Sequence, residues 1–212
     1  MTHSKLPIIV VSALLAGGAL TYFFRPQGSD LPVVSARAPQ SAPAMCPWRD
    51  PAGDMASFFP GSSRYQTETV ALSRRRQAII KRLGPETPLE SNTLYVNRIF
   101  IENDQVGVVL VRRASGQYGA IDVVAAVDTI GRVVGIRVQR HREPKETANV
   151  ITSDKWLSAF RGKSANSGFS LGSDLPAVPT SARASAEALA RSVRGLLIEY
   201  AEGAQGSHGH IH

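Results

Sequence analysis

The apolar positions of this chain change their period several times, and each change marks an element. From Leu6 to Phe24, LPIIVVSALLAGGALTYFF, no charged residue interrupts the apolar run. At about 1.5 Å per helical residue such a run matches the thickness of a bilayer core. Lys5 precedes it and Arg25-Pro26 follows it. A cleaved signal would have a shorter apolar stretch with a small-x-small site directly after it. Here Ala36-Arg37-Ala38 lies well downstream and is followed by Pro39, which blocks cleavage. The pattern therefore predicts an uncleaved transmembrane anchor over residues 1–25. Residues 26–54 are rich in Pro, Ser and Ala with no periodic apolar face, and read as a tether with a typical span of about 30 Å.

Helical and strand periods alternate after that. Leu72, Ile79, Ile80 and Leu83 share one face of a helix over Ser73–Leu83, which Ser73 can cap and Gly84-Pro85 ends. Thr93–Ile101 and Val106–Val111 are β-branched runs joined by a polar link, as a hairpin requires. Ile121–Val127 and Arg132–Val138 repeat the design. Their link, Asp128-Thr129-Ile130-Gly131, places Gly late in the loop, where a positive φ is usual. Val134, Ile136 and Val138 alternate with Gly135, Arg137 and Gln139, predicting one buried and one wet face. Ser153–Phe160 reads as a short helix with Trp156, Leu157 and Phe160 inward. Ala182–Glu202 carries the strongest helical period, through Ala186, Leu189, Ala190, Val193, Leu196, Leu197 and Tyr200, with Thr180 or Ser181 as its cap. The expected fold is α+β: an antiparallel sheet with helices packed on one side, forming a domain over residues 55–203 and followed by a flexible tail over 204–212.

Composition narrows the function classes. With 43% hydrophobic and 19% charged residues in 212, the chain has room for one globular core plus terminal extensions. Lys and Arg exceed Asp and Glu by 24 to 17, a net +7 that favours acidic surfaces such as phosphate, anionic lipid or an acidic protein. The basic residues are dispersed apart from Arg74, Arg75 and Arg76, and no aromatic-interleaved or zinc-spaced motif accompanies them, so nucleic acid is not an expected partner. Those arginines sit on the open face of their helix, either solvated or against anionic lipid. A single cysteine, Cys46, cannot close an internal disulfide; beside Pro47 and Trp48 it is an exposed tether residue or a contact to a partner subunit. The tail histidines His208, His210 and His212 lack a nearby Cys or Asp and read as a flexible end able to take up adventitious metal, not as a metal site. No nucleophile-base-orienter set points to hydrolysis.

The stretch GQYGAIDVVAAVDTIGRVVGIRVQRHRE, Gly116 to Glu143, combines two strands, a tight turn and a polar exit. It resembles the FMN-binding domain of bacterial membrane electron-transfer proteins. That family includes small flavoprotein subunits of the sodium-pumping quinone oxidoreductase and the Rnf-type ferredoxin oxidoreductase, and the extracytoplasmic domain of a nitrous-oxide-respiration regulator. The likeness extends over about Phe58 to Glu202: Phe58-Phe59-Pro60-Gly61 matches the family's entry segment loosely, Tyr118-Gly119 matches it well, and the aromatic helix ends in Gly162-Lys163. In the family a motif Ser-Gly-Ala-Thr-x-Thr-Ser opens the last helix and its first Thr carries FMN as a phosphoester, with the helix N-terminal amides on the phosphate. Aligned by apolar residues, Thr180, Ser181, Ala182, Arg183, Ala184 and Ser185 fall on that motif, and Arg183 occupies the attachment position. Arginine forms no such ester. Moving the attachment to Ser185 shifts the alignment by two residues and turns the apolar face by about 200°. After the last strand, Glu143-Pro144-Lys145-Glu146-Thr147-Ala148 replaces the family's Glu-Thr-x-Gly-Leu-Gly loop, so the glycines that admit the ring are missing.

The resemblance implies a single-pass protein of the bacterial cytoplasmic membrane with its domain in the periplasm. It further implies membrane lipid and other subunits of a respiratory or photosynthetic electron-transfer complex as partners. Beside a ligand-sensing domain, two roles stay open. One is an accessory or structural subunit whose flavin domain is a docking module. The other is an electron-transfer flavoprotein, not a substrate-specific enzyme, holding FMN non-covalently through Tyr118, Gly119, Glu143, Thr180, Ser181, Arg183 and Ser185, with the phosphate on Arg183, Ser181 and Ser185. His141 and Glu143 would stand at the pocket mouth or, as a polar strand exit, be solvated.

Overall fold

The computed structural model describes residues 52–85, 87, 89 and 91–204. The expected anchor, Cys46, most of the tether and the histidine tail lie outside these residues. Among the described residues no helix is long and apolar enough to cross a membrane.

The fold is α+β, built on a five-stranded antiparallel sheet in the order β1-β2-β3-β4-β5: Arg64–Ala71, Thr93–Ile101, Asp104–Ser115, Ala120–Asp128 and Val133–His141. Sequential antiparallel neighbours need only short connections, and three of the four links are tight, while residues 72–92 carry a helix between β1 and β2. Glu102 and Asn103 alone separate β2 from β3, with Glu102 at φ 55°. The β4–β5 link closes at Gly131, whose φ of 82° is the positive value its late position predicts. β1 has no counterpart among the expected strands. Its alternation is poor because it lies at the sheet edge, where of its eight residues Val70 alone is buried.

The large helices cover one face. A 3-10 turn, Ser73–Arg75, leads into α2, Arg76–Leu83; α3 spans Lys145–Ile151, α4 Asp154–Leu157 with a 3-10 turn Ser158–Phe160, and α5 Thr180–Ala204. Leu189, Val193, Leu196 and Leu197 of α5 meet Leu94, Val96, Val108, Leu110, Val123 and Ala125 of the sheet, with Ile79 and Leu83 of α2 and Trp156 and Phe160 closing the ends. Burying each such Leu or Val contributes about 1.5–3 kcal/mol relative to exposure, which makes α5 the principal strut of the domain. Arg112 of β3 reaches Glu199 beneath α5 in an ion pair, so the one acidic side chain on the helix's inner face is neutralised. Ile80, expected inward, is 39% exposed: α2 is too short for its stripe to wrap a full face, and Ile79 and Leu83 take the contact.

Helices are not confined to one side. α1, Ala52–Phe58, lies on the opposite face, where Met55, Phe58 and Phe59 pack on Ile99, Val109, Val124 and Ala126. Two glycines make that seat. A Cβ on Gly107 would come within 2.5 Å of the Phe59 ring, and one on Gly135 within 2.6 Å of Phe58. The polar face of β5 supplies the rest: Arg137 pairs with Asp54 at 2.7 Å and donates to Ser57 at 2.8 Å, and Gln139 also bonds Asp54. The face expected to be wet is thus partly a helix seat. A register shift between Ala126 and Val127 also moves Val134 onto this side, away from Ile136 and Val138. Asp54, assigned to the tether by its Pro- and Ala-rich surroundings, is a buried helical residue.

Candidate functional site

β3 and β4 are joined by Gly116-Gln117-Tyr118-Gly119, which doubles back through Gly116 N–H donating to the Gly119 carbonyl at 2.8 Å. This turn stands beside the exit of β5, where Glu143 leads into Pro144 and α3, and beside the start of α5. Each of the three segments gives one piece of a closed hydrogen-bond ring. Ser185 Oγ donates to Glu143 Oε2 at 2.8 Å, Tyr118 N–H donates to Glu143 Oε1 at 3.2 Å, and Gln117 N–H donates to Ser185 Oγ at 3.0 Å. Both carboxylate oxygens and both roles of the hydroxyl are thereby used. Glu143 is 6% exposed and Ser185 fully buried. A carboxylate leaves water only when its oxygens are satisfied in this way.

A neighbouring contact extends the ring. Thr147 of α3, also buried, donates through Oγ1 to the Ser181 carbonyl at 3.1 Å, tying α3 to the first turn of α5. Thr180, Ser181 and Arg183 themselves are exposed. Thr180 and Ser181 do not stand ahead of α5 as caps but within its first turn, where the Pro179 carbonyl accepts Ala182 N–H at 3.0 Å. Tyr118 enters the ring by its backbone, and its ring is 53% exposed. Gly119 has a φ of 149°, and a Cβ there would lie 3.0 Å from Arg142 Cβ.

The seven expected site residues therefore divide. Glu143 and Ser185, with the backbone of Tyr118 and Gly119, form one interlocked cluster; Ser181 joins it through its carbonyl; Thr180 and Arg183 stay outside on the solvated start of α5. Glu143 is not the solvated strand exit that its polar surroundings suggest. Burial against the turn and α5 gives it hydrogen-bond partners in place of water. His141 Nδ1 is buried without a partner among the described residues. Gln117 and Thr147 take part without having been singled out. Gln117 acts through its amide, which any residue supplies, and so carries no side-chain signal. Thr147 was legible in principle: Pro144 followed by Ala148 and Ile151 on one face is a Pro-initiated helix, although the segment reads as a loop when compared with a glycine-rich motif.

The arrangement does not fit a flavin held in the manner of the resembling family. A phosphoester needs an accessible hydroxyl at the attachment position, where the resemblance puts Arg183. Ser185, the hydroxyl nearby, is buried and engaged on both sides. On its inner side the turn has no room for a side chain: a Cβ on Gly116 would collide with Glu143 Oε1 and come within 2.7 Å of Ile121 Cδ1. Two surface clefts of about 580 and 310 Å³ are lined by other residues. Nor is the Ser185–Glu143 pair a nucleophile and its base, since no substrate atom reaches a fully buried hydroxyl. Chemically, the cluster is a latch that joins the β3–β4 turn, the β5 exit and α5.

No protein-family model matches the chain, and no curated protein matches it.

Proposed function

We propose that this protein is an accessory subunit of a bacterial membrane electron-transfer complex, anchored by residues 1–25 in the cytoplasmic membrane, with its domain in the periplasm serving as a docking module and not as a flavin carrier. The observation that carries the reading is the latch. Where the resemblance puts a flavin phosphate at the start of the last helix, this chain spends its inward hydroxyl, Ser185, on its own Glu143 at 2.8 Å and leaves Arg183 exposed at the attachment position. A domain that keeps its sheet and helix frame while closing its cofactor site offers surfaces, not electrons. The +7 net charge favours an acidic partner face or anionic lipid beside it.

The test is an absorbance and fluorescence spectrum of the protein purified from its native membrane in mild detergent, repeated on the supernatant after denaturation. The reading expects no flavin in either fraction and co-migration with a large complex. Flavin released on denaturation would replace it with the second reading, an electron-transfer flavoprotein holding FMN non-covalently. Flavin retained on the chain would refute the alignment that puts Arg183 at the attachment position.

A further inference from the structure

The larger cleft lies away from the latch, between the C-terminal end of α2, the loop through Asn166 and Ser170, and the middle of α5. Its volume of about 580 Å³ falls in the range of small-molecule sites. None of the described residues that line it is acidic, and two are arginines, Arg191 and Arg194. Arg194 is held in place from below: its Nη1 donates to the Leu83 carbonyl at 3.0 Å and its Nη2 to the Arg82 carbonyl at 2.8 Å, the orphan acceptors at the end of α2. Arg191 is differently placed. Its ion pair with Glu187 spans 3.9 Å, beyond hydrogen-bond distance, and its side chain is 47% exposed, so this lining residue keeps guanidinium donors to spare.

The opposite wall is built in advance of any ligand. Lys163 Nζ donates to the Gly168 carbonyl at 2.9 Å, and Ser170 N–H donates to Asp174 Oδ2 at 3.0 Å, which turns the one carboxylate of this loop back onto its own backbone. The loop is thereby fixed with Asn166 and Ser167 as polar lining and Phe169 packed into the core below. Pro85 is exposed and supplies the apolar surface of the rim, while Leu83 and Phe169, 4% and 8% exposed, show only their edges at the floor. Pre-ordered walls lower the cost of binding, because little side-chain or loop freedom remains to be lost.

We propose that this cleft binds a small organic anion, with its phosphate or carboxylate group on Arg191 and Arg194 and its apolar body against Pro85 and the edges of Leu83 and Phe169. A guanidinium matches such oxyanions with paired N–H donors, and Asn166 and Ser167 add polar lining to the cleft. The site is independent of the latch and of whether the domain carries a flavin.

The experiment is isothermal titration calorimetry of the full chain with three probes: phenyl phosphate, inorganic phosphate as the anion alone, and phenol as the body alone. Phenyl phosphate is expected to bind saturably and at least about tenfold more tightly than either fragment, with affinity falling as salt rises. Arg191→Gln, at an exposed position that leaves the fold intact, is expected to weaken phenyl phosphate about tenfold or more. Arg74→Gln, an equal loss of charge on the 3-10 turn before α2, is expected to leave it unchanged. Absence of saturable heat at millimolar probe, equal loss in both variants, or inorganic phosphate binding as tightly as phenyl phosphate would each overturn the proposal.

Discussion

Removing the carboxylate of Glu143 tests the latch directly. Glu143→Ala deletes two charge-assisted hydrogen bonds, at 2.8 Å from Ser185 and 3.2 Å from Tyr118. Bonds to charged groups contribute about 1.5–3 kcal/mol each, and the longer one belongs at the low end. Relief of burying a charge offsets part of that sum, and the exposed turn lets water reach the Tyr118 amide, so the net cost is about 2–4 kcal/mol. Glu143→Gln keeps the shape and lets an amide nitrogen donate to Ser185, whose hydroxyl can accept twice; it is expected to cost about 1 kcal/mol. With a urea slope of about 2 kcal/mol per molar for a domain of this size, the Ala variant should lower the unfolding midpoint by about 1–2 M. Ser185→Ala leaves the Gln117 amide and one carboxylate oxygen unpaired, and should cost about 2–3 kcal/mol. Because the two residues share one bond, the double variant should fall short of additivity by about 1–2 kcal/mol. A Glu143→Ala shift equivalent to less than about 0.5 kcal/mol, or full additivity of the pair, would refute the latch.

Three further outcomes follow from the same structure. Gly116→Ala places a methyl against Glu143 Oε1 and Ile121, and should destabilise by about 1–3 kcal/mol in the same urea assay; a neutral result would mean the turn has room that the ring contacts deny. Phe59→Ala empties the seat over Gly107 and should release α1, seen as faster limited proteolysis ahead of Arg64 with the rest of the domain still protected; unchanged cleavage would refute the anchoring of α1 by Phe59. Tyr200 has its pKa raised, chiefly by burial, with Arg98 opposing and Glu68 and Asp128 reinforcing. A raised folded value means the unfolded chain ionises first, so this contribution to stability is intact below about pH 10 and is lost as pH climbs through the folded value. Tyr200→Phe should therefore lose less stability than the parent between neutral pH and the alkaline limb in parallel urea titrations; identical alkaline slopes would refute it.

Strong periodicity made most of the frame legible. β2 matches its expected limits, the two hairpins form, and the α5 stripe from Ala186 to Leu197 faces the sheet, because each pattern needs only one buried face to be specified. What escaped had two causes. β1 and α1 lie where the sequence is weakly apolar: an edge strand with Val70 as its one buried side chain, and a helix whose grip depends on Gly107 and Gly135, residues whose lack of a side chain leaves no pattern to read. The bulge at Val134 broke the alternation expected of β5, and Arg137 and Gln139 looked like solvent contacts while serving Asp54 from below.

The site was half legible for a related reason. Resemblance picked out Glu143 and Ser185 as neighbours of one position, and the structure joins them, but in a bond with each other and not around a ligand. A polar residue at a strand exit has the same local sequence whether it meets water, a cofactor or a serine from an element 42 residues away. Only the packing of α5 across β3 and β4 decides between those fates. Once the apolar stripe fixes that packing, Ser185 must point inward with Ala182, Ala186 and Leu189, and a buried hydroxyl there requires an acceptor. Glu143 is the acceptor within reach. The latch is thus a consequence of the same helix register that places Arg183 outside, so the buried Ser185 and the exposed Arg183 follow from a single geometric fact.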